Sequence, residues 1–180
     1  MRKLATTELN RPSLAGFKAR PKLQVVVVLD NIRSLHNVGS IFRTADAFNL
    51  EAICLCGITA TPPHREIHRT ALGATESVEW SYSPDAAEAV DQLRRRGYQI
   101  VAIEQTDQSI PLSEFAPAEG KPLALIFGNE VKGVSEEVLF LTTQAIEIPQ
   151  YGTKHSLNVA VTAGIVLWEL CGKPANCIKK

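Results

Sequence analysis

The chain has 180 residues, 45% of them hydrophobic and 21% charged, and its 19 basic and 19 acidic side chains leave no formal net charge. That length and balance describe one globular domain with a sizeable core and exclude a fibrous, low-complexity or bulk-disordered chain. Any nucleic-acid partner must be gripped by a local patch rather than by the field of the whole molecule.

One such patch opens the chain. Met1 to Lys22 carries six basic side chains (Arg2, Lys3, Arg11, Lys18, Arg20 and Lys22) against Glu8 alone, a net +5 that leaves −5 for the remainder. Residues 1–22 read as a basic arm ahead of a domain over 23–180, and a solvated arm and an RNA-gripping arm are both open. The start has no apolar stretch of the signal-peptide kind, and the run 25–29 is far too short to cross a bilayer. The expectation is a cytoplasmic protein with no membrane association.

Strand-like and helix-like segments then alternate. The β-branched run 23–29 predicts a strand covered on both faces, as in a parallel sheet. Val38, Ile41, Phe42, Ala45 and Phe48 follow helical spacing. Residues 52–56 predict a strand, 66–71 a short helix after Pro62-Pro63, and 77–81 a third strand. Ser83-Pro84-Asp85 predicts a helix start, with Ser83 as cap, running to about Arg96 before Gly97. Strands follow at 100–104, 123–127 and 145–148, with a short helix capped by Ser135 between the last two and a final helix over 157–170. This rhythm predicts an α/β domain on a mostly parallel sheet flanked by helices, with ligands at the carboxyl ends of the strands. The last helix is apolar nearly all round, which calls for cover on both faces, by a second copy of the protein or by the monomer itself. The four cysteines (Cys54, Cys56, Cys171, Cys177) read as reduced structural thiols. Cys54 and Cys56 share a strand face without the second ligand pair that zinc needs.

Three stretches carry chemistry. In "HNVGSIFRTA" (36–45), Arg43 lies opposite the apolar face among Gly39, Ser40, Asp46 and Ala47. Two readings are open: a guanidinium gripping a phosphate on an uncluttered surface, and a solvated arginine paired to Asp46. In "LIFGNEVKGVSEEV" (125–138), glycines allow close backbone approach and Glu130 puts a carboxylate at a strand's carboxyl end. The stretch matches neither a Walker A loop nor the dinucleotide fingerprint. In "IPQYGTKHSLNVAV" (148–161), Ser156 reads as the cap of the last helix and Asn158 as a first-turn residue free to bond locally or to a ligand. There is no GxSxG elbow, and adjacent His155 and Ser156 do not make a hydrolase pair.

In this order and spacing, the three stretches resemble the motifs of the SpoU/TrmH family of RNA ribose 2′-O-methyltransferases, within the SPOUT class. The likeness spans about residues 30–170. It implies a parallel α/β sheet ending in a C-terminal trefoil knot, a homodimer packed partly through the last helix, and RNA (tRNA or rRNA) as partner. It implies S-adenosyl-methionine as cofactor, held by the loop from Glu104 to Thr106 after the fourth strand, by Phe127, Gly128 and Asn129, by Ile148 and Pro149, and by Leu157 beside Ser156. It places Asn37, Arg43, Glu130, Ser156 and Asn158 in the active site. A guanidinium does not lose its proton in a protein, so the role expected of Arg43 is to clamp the target phosphate and stabilise the developing alkoxide, the proton leaving to phosphate or water. Asn37 and Asn158 would position it, Ser156 shape its loop and Glu130 anchor the second stretch. RNA gripping falls to the arm, with Arg20 and Lys22, and to "TPPHREIHRTALGA", with Arg65 and Arg69. Gln150-Tyr151 stands where many relatives carry Met. Two rival readings share the scaffold: a non-catalytic RNA-binding or assembly protein, and a SPOUT base methyltransferase.

Overall fold

The computed structural model of the chain describes residues 1–172, so Cys177 lies outside the described residues. The β-branched run forms β1 (Leu23–Asp30), buried from Val25 onward. It is covered because parallel neighbours, β2 (Leu50–Cys56) and β6 (Leu123–Phe127), flank it on both sides. With β3 (Glu79–Ser83), β4 (Gln99–Ile103), the two-residue β5 (Ile110–Pro111) and β7 (Gln144–Glu147), they make a seven-stranded sheet in the order β3-β2-β1-β6-β4-β7-β5. Every pair of strands is parallel.

Helices cover both faces. α2 (Leu35–Ala47), α3 (Arg65–Ala71), the single turn α4 (Ala74–Ser77) and α7 (Val159–Leu167) lie on one side, where Val38, Phe42, Ile67 and Val166 pack on Ile53 and Leu125. α5 (Ala86–Arg95) and α6 (Glu136–Leu139) cover the other. α7 buries Ala163, Val166 and Leu167 but leaves Leu157, Val161, Ile165 and Trp168 exposed as a stripe along its outer side, and passes into one wider turn over Trp168–Gly172.

Several local expectations shift, each for a physical reason. α2 starts at Leu35 because the Ser34 hydroxyl accepts the Asn37 N–H. Asp85, not Ser83, caps α5: its carboxylate takes the Glu88 N–H at 3.1 Å while the Ser83 hydroxyl is spent on the Asp85 backbone. β3 falls two residues later than predicted, since the turn 74–77 is helical. Ser135 precedes α6, yet its hydroxyl donates to buried Asp30 at 2.8 Å instead of capping.

The segment before β1 is tied down in part. A short helix α1 (Leu14–Lys18) buries Phe17. Lys22 Nζ stands 3.4 Å over that ring and donates to Phe17 O and to Asn49 Oδ1 at 3.1 and 3.0 Å. Burial pushes the Lys22 ammonium below its ordinary pKa against the pull of Asp46 and Glu79. Cys54 and Cys56 share a face as expected, Sγ to Sγ 3.6 Å. Among the described residues, no group of three metal-ligating side chains occurs, and no helix is long and apolar enough to cross a membrane.

α2 and α3 meet at Gly39. A Cβ there would sit 2.4 Å from Ile67 O and close against the Thr70 hydroxyl, so the two helices approach through the missing side chain. The expected outcome for Gly39→Ala is a loss of about 2 kcal/mol of stability from overpacking against backbone that cannot swing away, read by urea denaturation.

Candidate active site

The site is built outward from one carboxylate. Glu130 follows β6 in a loop that folds back on itself, with Asn129 and Gly133 exchanging backbone hydrogen bonds at 3.0 and 2.9 Å. Gly133 takes φ +72, the left-handed region that favours glycine, and a Cβ on it would fall 2.3 Å from Glu104 Oε2. That Glu104 oxygen accepts the Val134 N–H at 2.9 Å and its partner oxygen accepts the Gln105 N–H at 2.9 Å, lashing the loop to the end of β4. The Asn129 side chain finishes the turn, accepting from Val131 and Lys132 N–H and donating to Asn31 O at 2.7 Å.

So placed, Glu130 receives three donors from the start of α2: Arg33 N–H at 2.9 Å, Ser34 N–H at 3.0 Å and the Asn37 side-chain amide at 2.9 Å. Burial opposes its ionisation, but these hydrogen bonds outweigh it and hold the carboxyl below its ordinary pKa. The Asn37 carbonyl oxygen is turned toward the third stretch, where it accepts from Asn158 Nδ2 at 3.1 Å. Asn158 Oδ1 accepts Ala160 and Val161 N–H at 2.9 and 3.3 Å, so Asn158 rather than Ser156 is the cap of α7, and it lies before the helix, not within its first turn. Glu130, Asn37 and Asn158 thus form one hydrogen-bonded chain joining all three stretches.

Beside this chain, at the carboxyl ends of β4, β6 and β7, lies a cavity of about 490 Å³. The structure brings Glu104, Phe127, Gly128, Asn129, Ile148 and Leu157 to its lining, together with Glu130, Ser156 and Asn158. Thr106 and Pro149 are not on this wall. Thr106 is engaged in its own turn with the Ser109 hydroxyl at 3.2 and 2.9 Å, and Pro149 lines an adjoining recess with Gln150 and Lys154. Gln105, inside the expected loop 104–106, lines the cavity, as do Glu147, His155 and Thr162, which were missed from sequence. Helical spacing could have found Thr162, one turn beyond Asn158, whose carbonyl accepts its hydroxyl at 3.1 Å.

Arg43 stands apart. It is exposed, does not line the cavity, and shows no hydrogen bond or ion pair to any described residue. Asp46, the alternative partner, bonds the Ser77 hydroxyl instead. The surface near Arg43 is less open than the wheel implied, because Gly39 is buried against α3. Among the basic side chains expected to grip RNA, Arg20 and Arg65 are exposed, Arg69 lies 3.9 Å from Glu66, and Lys22 is committed to Phe17 and Asn49.

Replacing Glu130 by Gln removes the charge and turns an amide N–H₂ on donors. The expected cost at neutral pH is about 1–2 kcal/mol, toward the low end for hydrogen bonds to a charged group because the carboxylate is partly in water. Since the folded pKa is depressed, wild type keeps this contribution above the unfolded value of about 4.3 and loses it as the pH falls through the folded value. The two proteins should therefore converge in stability in acid, which paired urea titrations at neutral pH and below pH ~4 would read.

Comparison with known proteins fits this geometry. A model of the SpoU rRNA Methylase family matches residues 24–168. The tRNA (guanosine(18)-2′-O)-methyltransferase of Thermus thermophilus is 35% identical over 164 residues, which cover 91% of this chain and 82% of that protein. An AdoMet-bound rRNA methyltransferase from Sinorhizobium meliloti superposes with a TM-score of 0.75 at 30% identity, over 83% of this chain and 59% of that one. A tRNA modifying enzyme, TrmH/SpoU, from A. aeolicus superposes with a TM-score of 0.74 at 30% identity, over 85% and 76%. By the reach of the family match and the identity to its relatives, the chain belongs to the SpoU rRNA Methylase family.

Proposed function

We propose that the chain transfers a methyl group from S-adenosyl-methionine to a ribose 2′-OH of tRNA or rRNA. The observation that carries the reading is the Glu130–Asn37–Asn158 chain, in which Glu130 and Asn158 line a cavity at the strands' carboxyl ends and buried Asn37 joins them from behind. The cavity suits the cofactor. Its volume lies in the ligand-sized range, Ile148, Leu157 and Val159 offer apolar surface to a flat base, and the carboxylates of Glu104, Glu130 and Glu147 favour a ligand bearing positive charge. Gln105 and Gly128 would hold it alongside them. Bound there, S-adenosyl-methionine supplies an activated methyl group on a sulfonium.

The chain's own residues supply positioning and charge. Glu130 is saturated by three donors and held ionised, which makes it an anchor and a poor base. The 2′-OH proton therefore leaves to a substrate phosphate or to water. Asn37 and Asn158 orient the target ribose, Ser156 shapes the loop between cavity and α7, and Arg43 clamps the neighbouring phosphate and steadies the alkoxide. Arg43 lies outside its own cavity. We read the working unit as a homodimer paired through the exposed Leu157, Val161, Ile165 and Trp168 stripe of α7, a helix packed on α2, so that pairing draws Arg43 of one copy toward the cavity of the other. The strand order supports a C-terminal trefoil knot: β6 is inserted between β1 and β4 and β7 between β4 and β5, and the chain then returns to meet Asn37 through Asn158. Residues 23–180 form the methyltransferase domain behind the basic segment 1–22, and the protein works in the cytoplasm.

Incubation with methyl-labelled cofactor and total RNA from a strain lacking the protein should label RNA. After alkaline hydrolysis the label should stay in uncleaved dinucleotides, because a 2′-O-methyl blocks attack on the adjacent phosphate. Label released in mononucleotides would indicate base methylation, and no label would rule out the enzyme. In the same assay Arg43→Lys should lower kcat by about 10²-fold, since lysine meets a phosphate at a single point; near-wild-type turnover would exclude the bidentate clamp. Val161→Asp should move the sedimentation of the protein from dimer to monomer, and an unchanged profile would remove α7 from the interface.

A further inference from the structure

Carboxylates and lysines meet around the cavity and its adjoining recess. Glu104, Glu130 and Glu147 line the cavity together with Lys132, on the loop after β6, while Lys154, on the loop after β7, lines the adjoining recess. The second of these loops is footed on the cavity at both ends, since Gln150 and His155 both line it. Between those feet, at the tip, Tyr151 is 97% exposed and makes no hydrogen bond to any described residue. The loop after β6 has a similar make-up: Val131, 75% exposed, is next to Lys132 in sequence, and both line the cavity.

Single bare apolar side chains are ordinary on a protein surface. Here each of two loops that reach the cavity carries one of them within three residues of a lysine. Flat apolar faces alternating with anions at short intervals are the chemistry of a single-stranded nucleic acid, whose bases stack on aromatic rings while its phosphates meet lysines. A paired base already has both faces covered within its helix and cannot stack on a protruding tyrosine. We propose that the two loops form a clamp for unpaired RNA, with Tyr151 stacking on a nucleobase next to the target nucleotide and Lys132 and Lys154 holding the flanking phosphates. The proposal rests on the reading of the cavity as a methyl-transfer site and narrows its substrate to nucleotides that are unpaired or can be extruded. Stacking accepts any base, so the clamp selects for strandedness rather than for sequence.

The test is fluorescence anisotropy with a labelled single-stranded CA-repeat oligoribonucleotide, alone and annealed to its complement, on full-length protein. Wild type should bind the single strand more tightly than the duplex. Tyr151→Ala should weaken single-strand binding by about ten-fold or more, the scale of one lost base-on-aromatic stack, and Tyr151→Phe, which keeps the ring, should stay within about two-fold. Lys132→Gln and Lys154→Gln should each lower the slope of log affinity against log salt by about 0.7. Calorimetry with S-adenosyl-methionine and sedimentation should be unchanged in Tyr151→Ala. Equal single-strand affinity for wild type and Tyr151→Ala would overturn the clamp. So would a loss of cofactor binding, which would place the ring in the cofactor wall, or a change in sedimentation, which would place it between copies of the chain. If wild type binds neither RNA and labels none, the methyltransferase reading falls and takes the clamp with it; if wild type methylates RNA and Tyr151→Ala binds as well as wild type, the clamp alone falls.

Discussion

An ionised carboxylate near the surface of a protein usually satisfies itself with water. Glu130 instead receives Arg33 N–H, Ser34 N–H and the Asn37 amide, and the remainder of the site is arranged around that fact. Backbone N–H groups ahead of a helix need acceptors, and an anion at that end of α2 meets the favourable end of the helix dipole. Because the Asn37 N–H₂ faces Glu130, its carbonyl must face the other way, toward Asn158. The Asn158 N–H₂ is fixed in turn, and its carbonyl is left for the first N–H groups of α7. Each amide is read in one sense only, so three segments distant in sequence hold a single mutual orientation.

That arrangement needs a rigid frame close behind it, and the frame is supplied by absent side chains as much as by present ones. Gly39 lets α3 lie against α2, and Gly128 lets the loop after β6 fold onto its own backbone, where a Cβ would come 2.1 Å from Val134 N. Glu104 then fills the space beside Gly133 and bonds the loop it touches. The wholly parallel sheet brings the carboxyl ends of β4, β6 and β7 to one edge, which is where an α/β sheet leaves room for a ligand.

What could be read from the residues alone follows a physical division. Strands buried on both faces, such as Val25 to Leu29 and Leu123 to Phe127, announce themselves because every position must be apolar. The edge strand β3 does not: Trp80 and Tyr82 alternate with Glu79 and Ser81, and all four are exposed, so nothing in the pattern marks its register. β5, with two residues, is too short to carry a pattern. Caps were legible as regions but not as residues, because Ser83 and Asp85, or Ser156 and Asn158, are equally competent: a local bond to the Asp85 backbone takes Ser83 out of the first choice, and the tertiary bond to Asn37 holds Asn158 in the second. The grouping of Glu130, Asn158 and the glycine loop was legible through motif resemblance. The link between Asn37 and Asn158 was not, since no local rule says where one amide's spare carbonyl will point. Arg43 shows the limit from the other side: a helical wheel places it on the surface correctly, yet a wheel cannot see that Gly39 belongs to a helix contact.

The double duty of Asn158 bears on how the protein comes into being. Its oxygen caps α7 and its nitrogen completes the contact with Asn37, so forming the last described helix and assembling the site are the same event. A growing chain releases its N-terminal elements first, and β1, α2 and the loop bearing Glu130 can all be made and folded before that event takes place. Until α7 docks, Asn37 has Glu130 but lacks Asn158, and the cavity lacks one wall. Incomplete products ending before this helix are therefore incapable of modifying a nucleic acid, however well the rest has folded. Competence is conferred only on a chain translated through this last described helix, a safeguard that costs the cell no separate inhibitor.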